Sequence, residues 1–257
     1  MERAGSAVEA GEGREAIPPG YPRLDADVPV LHAPRLAGKA GELSGYLAQG
    51  YRSLGQILSV EPPRIIAYLV ADEDWERAPR DNERPYPPGF PYFTRSVEPP
   101  ALVLPEELST VFRPRTAATL PLTVWHELAH AFLLGQGVVR TPAWLGEFVP
   151  QAASAAVARR VGLPLEEHLS RIDREEPGFT VRNFRGPAGA EDQMSFQNLL
   201  LLLGAAALEE FGEGFLQSIF HTLWEEDRIV DGERAEELLG DSLGQGGREW
   251  LESRPEF

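Results

Sequence analysis

Between Gly41 and Ser59 the apolar residues Leu43, Leu47, Tyr51, Leu54 and Leu58 recur three and four positions apart, which is the stripe of an amphipathic helix. Pro62-Pro63 stops it. Short apolar runs at Val28–His32, Ile65–Val70 and Ala101–Leu104 predict strands. The segment 79–100 is rich in proline and carries Tyr86, Phe90, Tyr92 and Phe93, so it reads as a long irregular loop. Loops of that length are commonly functional or disordered. From Thr119 onward the pattern turns helical almost to the end, with helices predicted at 120–135, 142–160, 164–172, 192–211, 213–226 and 233–240. Thr119 fits an N-cap, with Pro121 in the first turn. Strands first and helices afterwards, without an obvious linker, predict an α+β fold.

The same reading divides the chain. Residues 1–27 hold Gly, Ala, Glu and Pro without periodicity, the pattern of a flexible tail. Residues 28–138 form an N-terminal α+β part with a small mixed sheet, and residues 139–257 a helical C-terminal part.

Composition narrows the function classes. The chain has 257 residues, 42% of them hydrophobic and 25% charged, ample for a buried core. The formal net charge is −16, from 24 basic and 40 acidic residues, which argues against nucleic acid or an anionic membrane as main partner. The longest apolar run, Leu199 to Leu208, is shorter than the roughly 20 residues a membrane span needs. No apolar leader is visible near the start, so a cytoplasmic protein is expected. There is no cysteine, which excludes disulfides, thiolate metal sites and cysteine nucleophiles.

The chemistry lies in His126-Glu127-Leu128-Ala129-His130. Residues four apart on a helix sit about 40° apart and about 6 Å along the axis, so the two imidazoles can converge on one tetrahedral ion. Glu127 points to the neighbouring surface, where it reaches a water held by that ion and acts as general base. The motif is embedded in the apolar stretch Leu120–Leu134, where unpaired imidazoles and a carboxylate would be costly.

A third ligand is required. The continuation with Gly and His found in metzincins fails, because those positions are Leu133 and Gln136. His168 and His221 are candidates, though a lone histidine on a helix is more often a satisfied core or surface residue. Glu147 is better placed. It opens the next predicted helix, in Thr141-Pro-Ala-Trp-Leu-Gly-Glu-Phe148, and an antiparallel packing returns it to His126 and His130. Its alternative role is a first-turn acid that favours the helix dipole.

His126-Glu-Leu-Ala-His130 followed by Trp144-Leu-Gly-Glu-Phe148 resembles the gluzincin metallopeptidases, short bacterial members of which read H-E-x-x-H and then W-L-x-E-G. The resemblance covers roughly residues 28–225. It implies a zincin-like fold, one zinc ion per chain held by His126, His130 and Glu147, and Glu127 as the catalytic base. Phe148 and Val149 replace the small residues expected after the glutamate. Gluzincin peptidases also draw a Tyr or His from the C-terminal half to stabilise the oxyanion, yet all six tyrosines here precede the metal helix. His168, His221, Arg182, Arg185 or a tyrosine of the proline-rich loop remain open for that role. Glu166, Asp173 and Asp192 are candidates to hold the ligating imidazoles.

Three functions follow as expectations. The first is a zinc metallopeptidase that acts on a peptide or protein substrate. The second is a metal-bound regulatory or binding protein on the same fold, with little or no catalysis. The third is a metal-free helical interaction protein in which the motif is coincidental. Trp125 and Trp144 read as core, and Glu209-Glu210 and Glu225-Glu226-Asp227 as solvated faces or caps.

Overall fold

The computed structural model describes residues 20–81, 89–108, 114–135, 141–173, 178–186, 189–226 and 229–257. It contains five strands: β1 (Arg23–Leu24), β2 (Val30–His32), β3 (Ile66–Val70), β4 (Tyr92–Thr94) and β5 (Ala101–Pro105). They form one mixed sheet in the order β1-β2-β3-β5-β4. The central strands β2, β3 and β5 are parallel, and both edges are antiparallel. About 58% of the described residues are helical. A small mixed sheet followed by helices is the α+β class that the sequence predicts.

Alternation along the strands decides what each face of the sheet covers. Ala67, Leu69, Leu102 and Leu104 point into the main core, while Ile66, Tyr68, Val70, Ala101 and Val103 join Trp75, Ala78 and Tyr92 in a smaller cluster on the other face. The main core runs through both halves of the chain, from Val28 to Phe257.

α1 (Ala37–Leu58) connects β2 to β3 and buries Leu43, Leu47, Leu54 and Leu58. It ends one residue before Ser59, which caps it at φ +54°, ahead of the prolines. α2 (Thr119–Gly135) is apolar almost all round and buried on nearly every side, as expected of a central helix. α3 (Ala143–Arg160) lies beside it and buries Ala152, Ala153, Ala155, Ala156 and Ala158, small side chains that let neighbouring helices approach. α4 (Leu165–Ser170), α5 (Ala190–Phe211), α6 (Gly214–Glu225), α7 (Gly232–Leu243) and α8 (Gly247–Glu252) complete the helical half. Gly204 on α5 sits against α3; a Cβ there would fall 2.9 Å from both Cα and Cβ of Ala152. The two helices are therefore packed at a distance that only glycine permits.

Four expectations need correction. The predicted tail, 1–27, extends too far: residues 1–19 lie outside the described residues, but Arg23-Leu24 pair with Val30-Leu31 and the Tyr21 hydroxyl donates to Asp74 at 2.7 Å. The loop predicted at 79–100 contains β4, which is stabilised by pairing with β5 rather than by its own sequence. Thr119 does not cap α2 from outside but is its first residue, and its hydroxyl donates back to the Pro114 carbonyl at 2.6 Å. α8 falls in a stretch with no predicted helix. Among the described residues, no helix is long and apolar enough to cross a membrane.

Candidate metal centre

α2 and α3 bring the three expected ligands together. His126 Nε2 lies 3.2 Å and His130 Nε2 3.5 Å from Glu147 Oε2. The two imidazole Nε2 atoms are 3.1 Å apart, with ring planes at 84°. All three donor atoms lie within 4.8 Å of one another. A tetrahedral ion with ligand bonds of about 2.0–2.2 Å holds its donors about 3.3–3.6 Å apart. The observed spacings sit close to that range, and two nitrogens with one oxygen suit a borderline divalent ion such as zinc. The donor set therefore fits a zinc ion.

Electrostatics agree with a site made for a cation. Burial pushes the Glu147 carboxyl up, but the His130 and His126 imidazoles outweigh it and hold the group well below the usual carboxylate range. Burial, opposed by the His130 imidazole and helped by the Glu147 charge, raises the Glu127 carboxyl to about 8. His126 is lowered by burial despite Glu147, whereas at His130 the Glu147 charge outweighs burial and raises the imidazole to about 8. Four titratable groups shifted in opposite directions in one small volume make this a candidate functional site. Glu127 Oε1 lies 4.0 Å from His126 Nε2. The carboxylate is thus beside the ligands but outside their mutual contact.

A cleft of about 760 Å³ opens over this group. Phe90, Pro91, Tyr92 and Phe93 line one side, Leu122, Thr123 and Leu134 the metal helix, and Gln193, Gln197 and Asn198 of α5 the opposite side. Of the proline-rich segment, residues 90–93 line the cleft, and Tyr86 lies outside the described residues.

Of the candidates for oxyanion stabilisation, His168 lines the cleft and the others are engaged elsewhere or lie outside its lining. His221 bonds the Leu58 carbonyl at the end of α1, at 3.1 Å. Arg182 pairs with Glu236 at 2.6 Å, and Arg185 is exposed. The Tyr92 ring lines the cleft, but its hydroxyl donates to the Pro79 carbonyl at 3.0 Å. His168 is almost fully buried, and its Nδ1 lies 2.7 Å from the Thr116 hydroxyl. Thr116 Oγ1 already accepts from the Ala118 N–H. When the Thr116 hydroxyl donates to Nδ1, the imidazole proton sits on Nε2; the opposite tautomer reverses that bond.

The polar partners behind the ligands differ from those expected. His126 Nδ1 is buried without a hydrogen-bond partner, so Glu166, Asp173 and Asp192 do not hold it. Instead Glu147 is held. Gln197 Nε2 on α5 donates to Glu147 Oε2 at 2.8 Å, and Gln151 Nε2 on α3 donates to Gln197 Oε1 at 2.6 Å. Sequence reasoning missed both glutamines. The one available signal was Gln151, which follows Glu147 by a helical turn and shares its face.

Trp125 is core, with its indole N–H on the Tyr46 carbonyl at 2.8 Å. Trp144 is core as well and packs edge-on to Phe257. Phe148, which stands where a small residue was expected, is fully buried beside Phe215. Glu209 and Glu210 are exposed, and Glu226 pairs with Arg234 at 3.2 Å.

No protein-family model matches this chain, and no curated protein matches it in sequence.

Proposed function

We propose that the protein is a zinc-dependent metallopeptidase of the gluzincin type, with His126, His130 and Glu147 as metal ligands and Glu127 as general base. The observation that carries the reading is the convergence of three donor atoms within 4.8 Å, from two helices, beside a second carboxylate, the buried Glu127, in the lining of one cleft. A zinc ion in such a site acidifies water and polarises a carbonyl as a Lewis acid.

The remaining steps belong to the chain. Glu127 accepts a proton from the attacking water as the new C–O bond forms, and returns it to the leaving amine as the peptide C–N bond breaks. Burial raises its affinity for a proton, and the positive charge of a bound ion would lower it again and free the carboxylate to accept. His168, in the tautomer that carries its proton on Nε2, is the candidate donor to the oxygen that gains charge. The apolar walls exclude water and take uncharged parts of a peptide or protein substrate. The net charge of −16 disfavours nucleic acid and anionic membranes as partners.

A non-catalytic metal-binding protein on this scaffold is the second reading, favoured by the commitment of the Tyr92 hydroxyl to Pro79. Hydrolysis of an unfolded protein substrate by zinc-loaded wild type, compared with zinc-loaded Glu127→Gln, separates the two. Cleavage by wild type alone supports the peptidase. Equal cleavage by both removes Glu127 from its role, and no cleavage by either favours the binding protein.

A further inference from the structure

We propose that Gln197 and Gln151 form a positioning relay that presents Glu147 to the metal through a single oxygen. The inference rests on the metal-site reading above and adds a third helix to it.

The need for such a relay is visible in α3. Pro150 lies inside this helix, and proline has no N–H to donate to the carbonyl four residues earlier. That carbonyl belongs to Gly146, so the turn that carries Glu147 lacks one of its backbone bonds. Gly146 itself adds conformational freedom at the same turn. A ligand carried on a loosened turn needs support from elsewhere, because an imprecisely placed ligand weakens metal binding.

The side chains supply that support. A carboxylate oxygen has two lone-pair sites. The Gln197 amide takes one site on Glu147 Oε2, and the same oxygen faces both imidazoles. Its second site is then directed to the ion. The Gln197 amide could rotate to offer its own oxygen, which would repel the carboxylate. Gln151 opposes this rotation, because its N–H₂ donates to Gln197 Oε1. The ionised carboxylate, which can only accept, selects the same donor order Gln151→Gln197→Glu147, running from α3 through α5 back to α3. The contact of Gly204 with Ala152 holds α5 close enough to α3 for the relay to span the gap.

The test is zinc affinity, measured by competition with a chromophoric chelator, together with the visible absorption spectrum of the cobalt-substituted protein. Both are read on the full chain for wild type, Glu147→Ala, Gln197→Leu, Gln151→Leu and the double variant. Gln197→Leu is expected to lose about 10- to 100-fold in affinity and to alter the cobalt spectrum, which a merely structural role would leave unchanged. Gln151→Leu is expected to lose less, and the double variant no more than Gln197→Leu alone, since Gln151 acts through Gln197. Gln197→Met, which keeps the chain length, replaces Gln197→Leu if leucine disturbs folding.

Wild-type affinity and spectrum in a folded Gln197→Leu or Gln197→Met would overturn the relay while Glu147→Ala still loses metal. Fully additive losses would overturn the order of the relay. If Glu147→Ala retains wild-type affinity, the metal-site reading fails and the relay falls with it.

Discussion

The indole of Trp125 rests directly on Gly50. A Cβ placed on residue 50 would collide with Cδ1 of that ring and come within 3.0 Å of Leu128 Cδ2, while the indole N–H is held by the Tyr46 carbonyl. Trp125 immediately precedes His126, so α1 fixes both the height and the rotation of the helix that carries His126 and His130.

Gly50→Ala should therefore be destabilising even though alanine is the better helix former. The expected loss is about 1–3 kcal/mol from overpacking, against roughly 1 kcal/mol gained from helix propensity. Urea denaturation at constant m-value measures the net effect. A stabilised Gly50→Ala would mean that α1 and α2 are less tightly engaged than described.

Much of this arrangement is legible in the sequence. α2 is doubly marked, by an unbroken apolar stretch and by the spacing of His126, Glu127 and His130, and α1 by a clean stripe. Glu147 is legible because it opens the next predicted helix, and an antiparallel return brings it to His126 and His130. The edge strands are not legible. β1 and β4 have two and three residues, too few to show a period, and exist because β2 and β5 offer them hydrogen bonds. α8 begins at Gly247 behind Gly246 at φ +79°, a glycine pair that reads as a turn. Gln197 looks like a solvent-facing polar residue before a leucine run. Only the close packing of α5 on α3 turns it toward Glu147.

His168 should give the fold a sensitivity to acid. Burial lowers its imidazole below the usual value, so the folded state binds this proton more weakly than the unfolded chain. The neutral form is favoured in the fold above the unfolded pKa of about 6.5. As pH falls from there toward the lower folded value, the unfolded chain gains a proton that the folded one refuses, and stability drops. In melting curves between pH 7.5 and pH 5, His168→Gln should lose less stability than wild type. Parallel curves for the two proteins would show that His168 is not held neutral by burial.

The same histidine should matter to turnover. With peptide substrate, His168→Phe is expected to lower kcat by about 10²- to 10³-fold with little change in KM or zinc content, because a donor to developing charge acts on the transition state. A raised KM with unchanged kcat would instead place His168 in substrate binding.

The central claim is the metal site, and elemental analysis of the purified protein tests it most directly, with Glu147→Ala prepared in parallel. The account predicts about one zinc per wild-type chain and a large loss in the variant. A wild-type protein that takes up no zinc even when it is supplied, or a Glu147→Ala that retains a full equivalent, would contradict it.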